Sequence, residues 1–315
     1  MALTVAVLMD PIEHIKIGKD TTFALLLEAQ RRGHALRYLQ QGDLALRDGA
    51  PWARLAPLTV SDDAARWFRR GDAQWQPLTT VDILLARKDP PLDAQFLYDT
   101  LVLEAAQRLG VRVINDPRAL RDCNEKLYAL QFPQCCAPSL VARDRGSLRQ
   151  FVQLHGEVVL KPLDGMGGRG IFRSHDHDPN LNVILETLVG DDRHFALAQR
   201  FIPEIRAGDK RILMVAGTAV PFALARVPQG DEFRGNLAAG GRGIVVPLSE
   251  RDHWIAAQVA PDLVRRGLLF VGLDVIGDYL TEINVTSPTC AREIDAARGL
   301  NIAGMLFDAI ENPPA

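Results

Sequence analysis

The chain has 315 residues, of which 47% are apolar and 24% charged, and its formal net charge at pH 7 is -3. This composition is typical of a globular protein with one large domain or two to three smaller ones. It gives no support to a nucleic-acid or membrane partner, because either would favour a basic excess. The four cysteines form no CxxC pair and no signal peptide precedes the first apolar run, so we expect a cytoplasmic protein.

Residues 1 to about 120 alternate between predicted strands and helices. Apolar runs predict strands at 5–9, 35–39, 81–86 and 111–114, and helical spacing after a capping residue predicts helices at 20–33 and 93–109. Strands separated by helices indicate a parallel sheet covered on both faces. Asp10, Arg87 and Asp89 follow two of these strands, at the edge where open α/β sheets bind ligands. Loop capping is the alternative role for these three residues.

A glycine-rich loop lies between two predicted strands within residues 157–173. Gly165, Gly167 and Gly170 match G-x-G-x-x-G, but that motif marks a dinucleotide site only where it opens a helix, and here a strand follows. The backbone N–H groups of such a loop can close over phosphate, although a plain flexible hairpin gives the same pattern. Lys161 favours the phosphate interpretation, because a lysine in an apolar strand needs an anionic partner.

The pattern changes from residue 117 onward, and the prolines at 133 and 138 mark a plausible domain boundary. The remainder of the chain contains a predicted hairpin within 209–226 and a predicted helix at 249–266. Between them, residues 228–243 are rich in glycine and arginine. Such a segment is typical of a mobile lid or of an ordinary loop.

A hairpin near the C-terminus carries three oxygen-bearing side chains. Glu282 and Asn284 are two residues apart on one strand and therefore share a face, while Asp274 belongs to the partner strand. A two-residue loop alone would turn Asp274 away from Glu282, so a bulge or a three-residue loop is required. Oxygens of this kind suit Mg²⁺ when phosphate supplies the remaining ligands. An ordinary hairpin with solvated acids is the alternative.

These features together predict a nucleoside triphosphate site that lacks a Walker motif. The residues concerned are Lys126, Lys161, the glycine loop, Asp209, Arg211, Asp274, Glu282 and Asn284. If a substrate carboxylate attacks a γ-phosphate, each pair of like charges near 4 Å costs about 4 kcal/mol at an effective dielectric constant of about 20. Lysines, arginines and bound Mg²⁺ supply compensation of the right order, and preorganised charges need no rearrangement.

Seven segments spread along the whole chain resemble one protein family. They are Met9-Asp-Pro-Ile, Arg87-Lys-Asp-Pro-Pro, Leu120-Arg-Asp-Cys-Asn-Glu-Lys-Leu, Leu160-Lys-Pro-Leu-Asp-Gly-Met-Gly-Gly, Gly208-Asp-Lys-Arg, Arg234-Gly-Asn-Leu-Ala-Ala-Gly-Gly-Arg-Gly, and Val271-Gly-Leu-Asp through Thr281-Glu-Ile-Asn-Val-Thr-Ser-Pro-Thr. On these segments the chain resembles prokaryotic-type glutathione synthetase, within the ATP-grasp superfamily. Departures are confined to residues 48–80, residues 131–137 and the C-terminal tail, and none touches a motif residue.

The resemblance implies an α/β protein with an N-terminal Rossmann-like parallel-sheet domain, followed by an ATP-grasp fold whose two α+β subdomains grip ATP. The domains it implies are 1–121, 122–202 and 203–315. It implies an ATP-dependent carboxylate–amine ligase that joins γ-glutamylcysteine to glycine through an acyl phosphate, giving glutathione, ADP and phosphate. The implied cofactors are ATP and Mg²⁺, with Mn²⁺ as a substitute. The implied assembly is a homotetramer.

The resemblance also assigns a role to individual residues by motif position. Those implied to bind the nucleotide are Lys126, Lys161, Gly165, Met166, Gly167, Gly168, Gln199, Arg200, Phe201, Ile202, Asp209 and Arg211. Those implied to hold the metal ion are Asp274, Glu282 and Asn284. Those implied to act in catalysis are Lys161, Arg211 and Arg226. Those implied to bind the substrates are Arg234, Asn236, Ser287, Pro288 and Thr289.

Two other functions are considered beside this one. Another ATP-grasp ligase, acting on a different amino acid or peptide, would share Lys161 and the Glu282-x-Asn284 pair but not the glycine- and arginine-rich segment 234–243. A non-catalytic ATP-binding module should have lost part of the metal-binding set or the arginines of that segment. This chain keeps all of them.

Overall fold

The computed structural model describes residues 2–165, 167–230, 232, 234–235 and 240–312. The described strands are β1 (Thr4–Leu8), β2 (Ala35–Leu39), β3 (Leu44–Arg47), β4 (Ala50–Val60), β5 (Phe68–Arg70), β6 (Gln74–Pro77), β7 (Ile83–Ala86), β8 (Arg112–Ile114), β9 (Ser139–Ala142), β10 (Glu157–Pro162), β11 (Phe172–His175), β12 (Ala196–Arg200), β13 (Asp209–Val215), β14 (Thr218–Val227), β15 (Arg242–Pro247), β16 (Phe270–Ile276) and β17 (Tyr279–Asn284). The described α-helices are α1 (Thr21–Arg31), α2 (Ala94–Arg108), α3 (Pro117–Asp122), α4 (Glu125–Ala129), α5 (Arg145–His155), α6 (Leu181–Val189), α7 (Glu250–Arg265), α8 (Ala291–Arg298) and α9 (Ile302–Glu311).

The N-terminal sheet has the strand order β3-β4-β2-β1-β7-β8, and β5 and β6 both pair with β4. Strands β2, β1, β7 and β8 run parallel, as the alternation of strands and helices predicts. The long strand β4 pairs antiparallel with β2 and makes the sheet mixed. The parallel part is therefore confirmed, and the antiparallel extension comes from residues 44–77, where the sequence carries no helix.

Helices begin at the residues whose side chains can cap them. Asp20 accepts the N–H of Phe23 at 2.6 Å at the start of α1, and Asp93 accepts the N–H of Phe96 at 2.8 Å at the start of α2. Ser249 starts α7 through a reciprocal capping box with Asp252. Each cap satisfies an N–H group that the first helical turn leaves without an internal partner.

Two further sheets complete the fold. One has the order β11-β10-β12-β9, and the other has the order β15-β14-β13-β16-β17. The four-stranded sheet has a core of its own, which includes Leu148, Leu160 and Leu185. The five-stranded sheet shares a core with the N-terminal sheet, in which Leu84 and Leu273 are both fully buried. The site described below lies where these two bodies face each other.

No helix in the described part of the chain has the length and apolar character needed to cross a membrane.

Candidate active site

The hairpin of β16 and β17 has the register that the metal-site hypothesis requires. The strands are joined by two residues, 277 and 278, and their pairing shifts immediately after Asp274. Because this bulge takes up one extra residue of β17, Asp274 pairs with Glu282. Asn284 follows two residues later on the same face. The expected bulge is present, and the three oxygen-bearing side chains share one face of the sheet.

Two arginines from neighbouring strands bind Asp274. Arg211 in β13 donates from Nε to Oδ1 of Asp274 at 2.5 Å and from Nη2 to Oδ2 at 3.1 Å. Nη2 of Arg226 in β14 lies 3.0 Å from Oδ2 of Asp274 and donates to Oδ2 of Asp209 at 2.5 Å. All four residues are buried. They form a compact cluster with two charges of each sign.

The pKa values of the two carboxyl groups of this cluster are shifted in opposite directions. Burial raises the pKa of Asp209 to about 6, and Arg226 offsets only part of that effect. Burial acts on Asp274 too, but Arg211 and Arg226 outweigh it and hold the pKa of that carboxyl well below its usual range. Oδ1 of Asp209 is buried and has no hydrogen-bond partner among the described residues. A ligand hydroxyl at that oxygen would satisfy it.

Two buried lysines approach the same oxygen of Glu282. Nζ of Lys126 in α4 lies 3.8 Å from Oε1, and Nζ of Lys161 in β10 lies 3.9 Å from it. Lys126 also donates to Glu125 at 2.7 Å and to the carbonyl of Gly165 at 2.8 Å. Two cations thus surround one carboxylate beside the glycine loop.

The two ammonium groups differ in how well the protein stabilises their charge. Burial lowers the pKa of Lys161, and Glu282 offsets only part of this effect. Burial also acts on Lys126, but Glu282 and Glu125 outweigh it and raise the pKa of that group. Lys161 is therefore the cation with the greater need of an added anion.

A cavity lies between the four-stranded and five-stranded sheets, with about 740 Å³ of empty space that includes open solvent. Its lining is Val159, Lys161, Gly165, Gly167, Gly168, Ile171, Gln199, Arg200, Phe201, Ile202, Ile205, Asp209, Arg234, Gly235, Asp274, Ile276, Thr281 and Glu282. The lining offers apolar side chains for a nucleotide base and cations for phosphates.

The glycine loop forms one wall of this cavity. Gly167, Gly168 and Gly170 have positive φ angles, which residues with a Cβ rarely adopt. The carbonyl of Gly168 accepts a hydrogen bond from Nη1 of Arg234 at 2.9 Å. The loop therefore contacts the glycine- and arginine-rich segment, for which the sequence analysis considers a lid or an ordinary loop.

The structure brings most of the residues predicted to bind nucleotide into the cavity lining. Lys126 and Arg211 lie behind that lining, in contact with Gly165 and Asp274 respectively. Met166 and Asn236 lie outside the described residues. Asn284 shares the face of Glu282 without lining the cavity.

Apolar residues of the cavity wall were not predicted from the sequence. They are Val159, Ile171, Ile205 and Ile276. A signal for two of them was present, because side chains two apart on a strand share a face. Val159 stands two residues before Lys161, and Ile276 two residues after Asp274.

Ser287, Pro288 and Thr289 form a turn against the N-terminal sheet and do not line the cavity. The hydroxyl of Ser287 donates to the carboxylate of Asp89. The carbonyl of Pro288 accepts from Nη2 of Arg87 at 2.8 Å. Arg87 and Asp89, which follow β7, therefore contact this turn. The sheet edge predicted to bind ligands thus lies against the residues predicted to bind the substrates.

The acidic face fits a metal ion that arrives with a phosphate ligand. No group of three or more His, Cys, Asp and Glu side chains within the described ranges is arranged to hold a metal alone. Glu282 faces the cavity, and Nδ2 of Asn284 donates to the carbonyl of Gly272 at 3.3 Å, which leaves the amide oxygen for another partner. Hard oxygen donors in this number suit Mg²⁺ when phosphate oxygens complete the coordination.

Comparison with known proteins identifies the family. The family model "Prokaryotic glutathione synthetase, N-terminal domain" matches residues 3–121, and "Prokaryotic glutathione synthetase, ATP-grasp domain" matches residues 125–299. The glutathione synthetase of Xanthomonas axonopodis pv. citri is 65% identical over 311 residues, which cover 99% of this chain and 98% of that protein. The glutathione synthetase of Pseudomonas aeruginosa is 56% identical over 310 residues, which cover 98% of each.

Solved structures support the fold at much lower identity. The D-cycloserine synthetase DcsG has a TM-score of 0.68 at 14% identity, over 97% of this chain and 99% of that chain. The ATP-grasp ligase PsnB, complexed with a minimal precursor, Mg and ADP, has a TM-score of 0.63 at 16% identity, over 98% and 96% of the two chains. These two likenesses concern the fold alone.

The α/β ATP-grasp fold, the ligase class and the glutathione synthetase activity expected from the sequence are thereby confirmed. Use of ATP and a divalent metal ion and action on small-molecule substrates come with that membership. The chain belongs to the prokaryotic glutathione synthetase family.

Proposed function

We propose that the cavity between the two sheets is where this ligase activates γ-glutamylcysteine with ATP and joins it to glycine. The products are glutathione, ADP and phosphate. The observation that carries this proposal is the approach of Lys126 and Lys161 to one oxygen of Glu282, at 3.8 and 3.9 Å, beside the glycine loop. The two lysines carry one more charge than Glu282 can neutralise, and the negative charge of a triphosphate would balance it.

The three segments have separate tasks in this proposal. Residues 1–121 present the substrate-binding edge, residues 122–202 cover the nucleotide, and residues 203–315 carry the reacting groups. The glycine loop, including Gly165, Met166, Gly167 and Gly168, covers the phosphates. The strand end at 199–202 meets the adenine edge, and Val159 and Ile276 pack on the base from opposite sheets.

The charges of the site explain how two anions can meet. A substrate carboxylate approaching the terminal phosphate encounters several like charges, each worth about 4 kcal/mol near 4 Å at an effective dielectric constant of about 20. Lys161, Arg211 and Arg226 place fixed positive charge around the acceptor and need no rearrangement during the reaction. Asp209 and Asp274 hold both arginines in position through the hydrogen bonds described above.

Asp274, Glu282 and Asn284 would hold Mg²⁺, or Mn²⁺ in its place, and that ion would supply positive charge to the phosphate oxygens. If Glu282 held such an ion, Lys126 and Lys161 would be left to pair with the phosphates.

The acyl phosphate must meet the glycine amine before it meets water. Arg234 and Asn236 belong to the segment that would close over the dipeptide, and Ser287, Pro288 and Thr289 would bind the substrate carboxylates. Arg234 already contacts the glycine loop through Gly168. Closure over the site excludes water, which otherwise hydrolyses the activated carboxylate.

We also propose that the enzyme works as a homotetramer in the cytoplasm. Leu97, Tyr98 and Leu101 are exposed together on one face of α2, with 37%, 56% and 47% of their surface accessible. Apolar groups clustered in this way mark interaction surfaces. Cys123, Cys135, Cys136 and Cys290 are all free thiols, as expected in a reducing compartment.

Phosphate release with ATP, γ-glutamylcysteine and glycine, each omitted in turn, tests the substrate assignment. We expect release only with all three present. The competing hypothesis is an ATP-grasp ligase that acts on another amino acid or peptide. Release that does not depend on glycine, or that is faster with a different amine, would favour that hypothesis.

A further inference from the structure

The side chain of Asn124 joins the helix that carries Lys126 to the strand that leads into the glycine loop. Its Oδ1 caps α4 by accepting the N–H groups of Lys126 and Leu127, both at 3.1 Å. Its Nδ2 donates to the carbonyl of Leu163 at 3.0 Å. Leu163 follows β10 directly and stands two residues before Gly165. One amide therefore fixes two elements of the site relative to each other.

A second link between the same elements uses a group that a nucleotide would claim. Nζ of Lys126 donates to the carbonyl of Gly165 at 2.8 Å. A phosphate oxygen that binds this ammonium competes for the donor that holds Gly165. The hydrogen bond from Asn124 to Leu163 uses another side chain and does not enter that competition. It can keep the base of the loop in place while the loop itself rearranges.

The loop between β10 and β11 has an irregular backbone. From Leu163 to Ile171 the described backbone forms no strand or helix, and Gly167, Gly168 and Gly170 adopt left-handed conformations. A segment of this kind has many accessible conformations, and ordering it costs entropy. A tether at Leu163 reduces the number of conformations that must be lost when the loop closes over phosphate.

We propose that Asn124 is a positioning residue for nucleotide binding, which sets the base of the glycine loop relative to Lys126. The inference rests on the proposed function, because that function assigns Lys126 and the loop to the phosphates. Asn124 acts through these groups and touches no reacting atom. Its capping role alone would act through α4, whereas the hydrogen bond to Leu163 acts on the base of the loop.

The test separates the two halves of the Asn124 side chain. Asn124→Ser keeps a good helix cap but loses the donor that reaches Leu163. We expect KM for ATP to rise about fivefold, as for loss of one ordinary hydrogen bond, with KM for glycine unchanged. Trypsin cleavage after the exposed Arg169, measured by mass spectrometry, should be faster in the variant than in the native enzyme. A non-hydrolysable ATP analogue should protect the variant from this cleavage less than it protects the native enzyme.

Asn301→Ser is the matched control. Asn301 caps α9 by accepting the N–H of Gly304 at 2.8 Å and donates to Glu28 at 3.3 Å, so it also combines a cap with a donor, far from the cavity. We expect its KM for ATP to stay at the native value. Asn124→Asp gives a second check, because aspartate caps as well as asparagine but presents an acceptor to the Leu163 carbonyl. It should raise KM for ATP more than Asn124→Ser does.

Lys126→Met distinguishes failure of this inference from failure of the proposed function. If Lys126→Met leaves KM for ATP unchanged, the nucleotide assignment is wrong and the role of Asn124 falls with it. If Lys126→Met raises KM for ATP but Asn124→Ser does not, only the positioning role is overturned. An equal rise in all three KM values for Asn124→Ser would likewise overturn it, because that pattern indicates a general structural defect.

Discussion

Arg87 and Pro288 are joined by a hydrogen bond across 201 positions of the sequence, from Nη2 of the arginine to the carbonyl of the proline at 2.8 Å. Arg87 follows β7 of the N-terminal sheet, and Pro288 belongs to the turn after β17. Nε of Arg87 also donates to Thr22 at 3.1 Å. Burial lowers the pKa of this guanidinium to about 10, so it remains charged near neutral pH. The arginine fixes the spacing between the sheet and the proposed substrate turn.

Arg87→Lys should weaken the binding of γ-glutamylcysteine without affecting ATP. Lysine keeps the charge but lacks the planar fork of donors that reaches two partners at once. We expect KM for γ-glutamylcysteine to rise about tenfold, which corresponds to lost hydrogen bonds from a charged group. Steady-state kinetics with each substrate varied in turn measures this. Arg118→Lys, at an arginine whose side chain is 64% exposed, is the control. An equal rise in both KM values would contradict the assigned role.

Glu282→Gln should stop turnover and leave the fold intact. The substitution keeps the size of the side chain but removes the charge that faces Lys126 and Lys161. We expect phosphate release to fall on the order of 10²–10³-fold, a usual cost of removing one preorganised group at a reacting centre. Circular dichroism should show native helix content. Glu186→Gln, at a carboxylate 60% exposed, is the control. Normal turnover of Glu282→Gln would show that the metal and phosphate assignments are wrong.

Gly272→Ala should displace Arg211 by steric contact alone. A Cβ at this position would lie 2.8 Å from Cδ of Arg211 and 3.0 Å from Cβ of Pro288. Because Arg211 holds Asp274 through two hydrogen bonds, we expect kcat to fall at least about tenfold when that geometry is lost. Gly42→Ala is the control, since a Cβ there meets no atom within 4 Å. Unchanged kcat in Gly272→Ala would mean that the position of Arg211 does not limit the reaction.

Much of the fold could be predicted because its signals are local. Asp20, Asp93 and Ser249 start helices where a capping side chain precedes apolar spacing, and the parallel strands appear as apolar runs. The strands β5, β6 and β15 and the helices α8 and α9 were not assigned from the sequence. Their stability comes from packing against distant elements, as in the contact of α9 with α1, which no local pattern reports.

The site was predictable in its chemistry but not in its geometry. The residue types at Lys161, Asp274 and Glu282 indicate phosphate and metal binding, yet only the bulge after Asp274 decides whether the two carboxylates meet. Contacts such as Arg87 with Pro288 join residues far apart in the sequence. A single sequence carries no signal for such a pairing, because either residue would fit its local element without the other.

The network around Glu28 gives a prediction about stability and pH. Glu28 in α1 accepts hydrogen bonds from Arg31 at 2.7 Å and from Arg32 at 2.7 Å, and Asn301 before α9 donates to it at 3.3 Å. Arg32 in turn binds Asp308 of α9 at 2.7 Å. The bond with Arg31 is the largest influence on Glu28 and, with Arg32 and Asn301, lowers its pKa from 4.5 to about 2.

Glu28→Gln should therefore lower the melting temperature at neutral pH and lose that effect in acid. A carboxyl whose folded-state pKa is depressed stabilises the fold above its unfolded-state pKa, and the stabilisation is lost as pH falls from about 4.5 toward 2. Calorimetry of native enzyme and variant from about pH 7 to about pH 3 should show the two melting temperatures converging below about pH 4.5. For the exposed Glu186→Gln control we expect a small difference that does not change with pH. A gap for Glu28→Gln that stays constant over this range would mean that the charge of Glu28 does not stabilise the contact between α1 and α9.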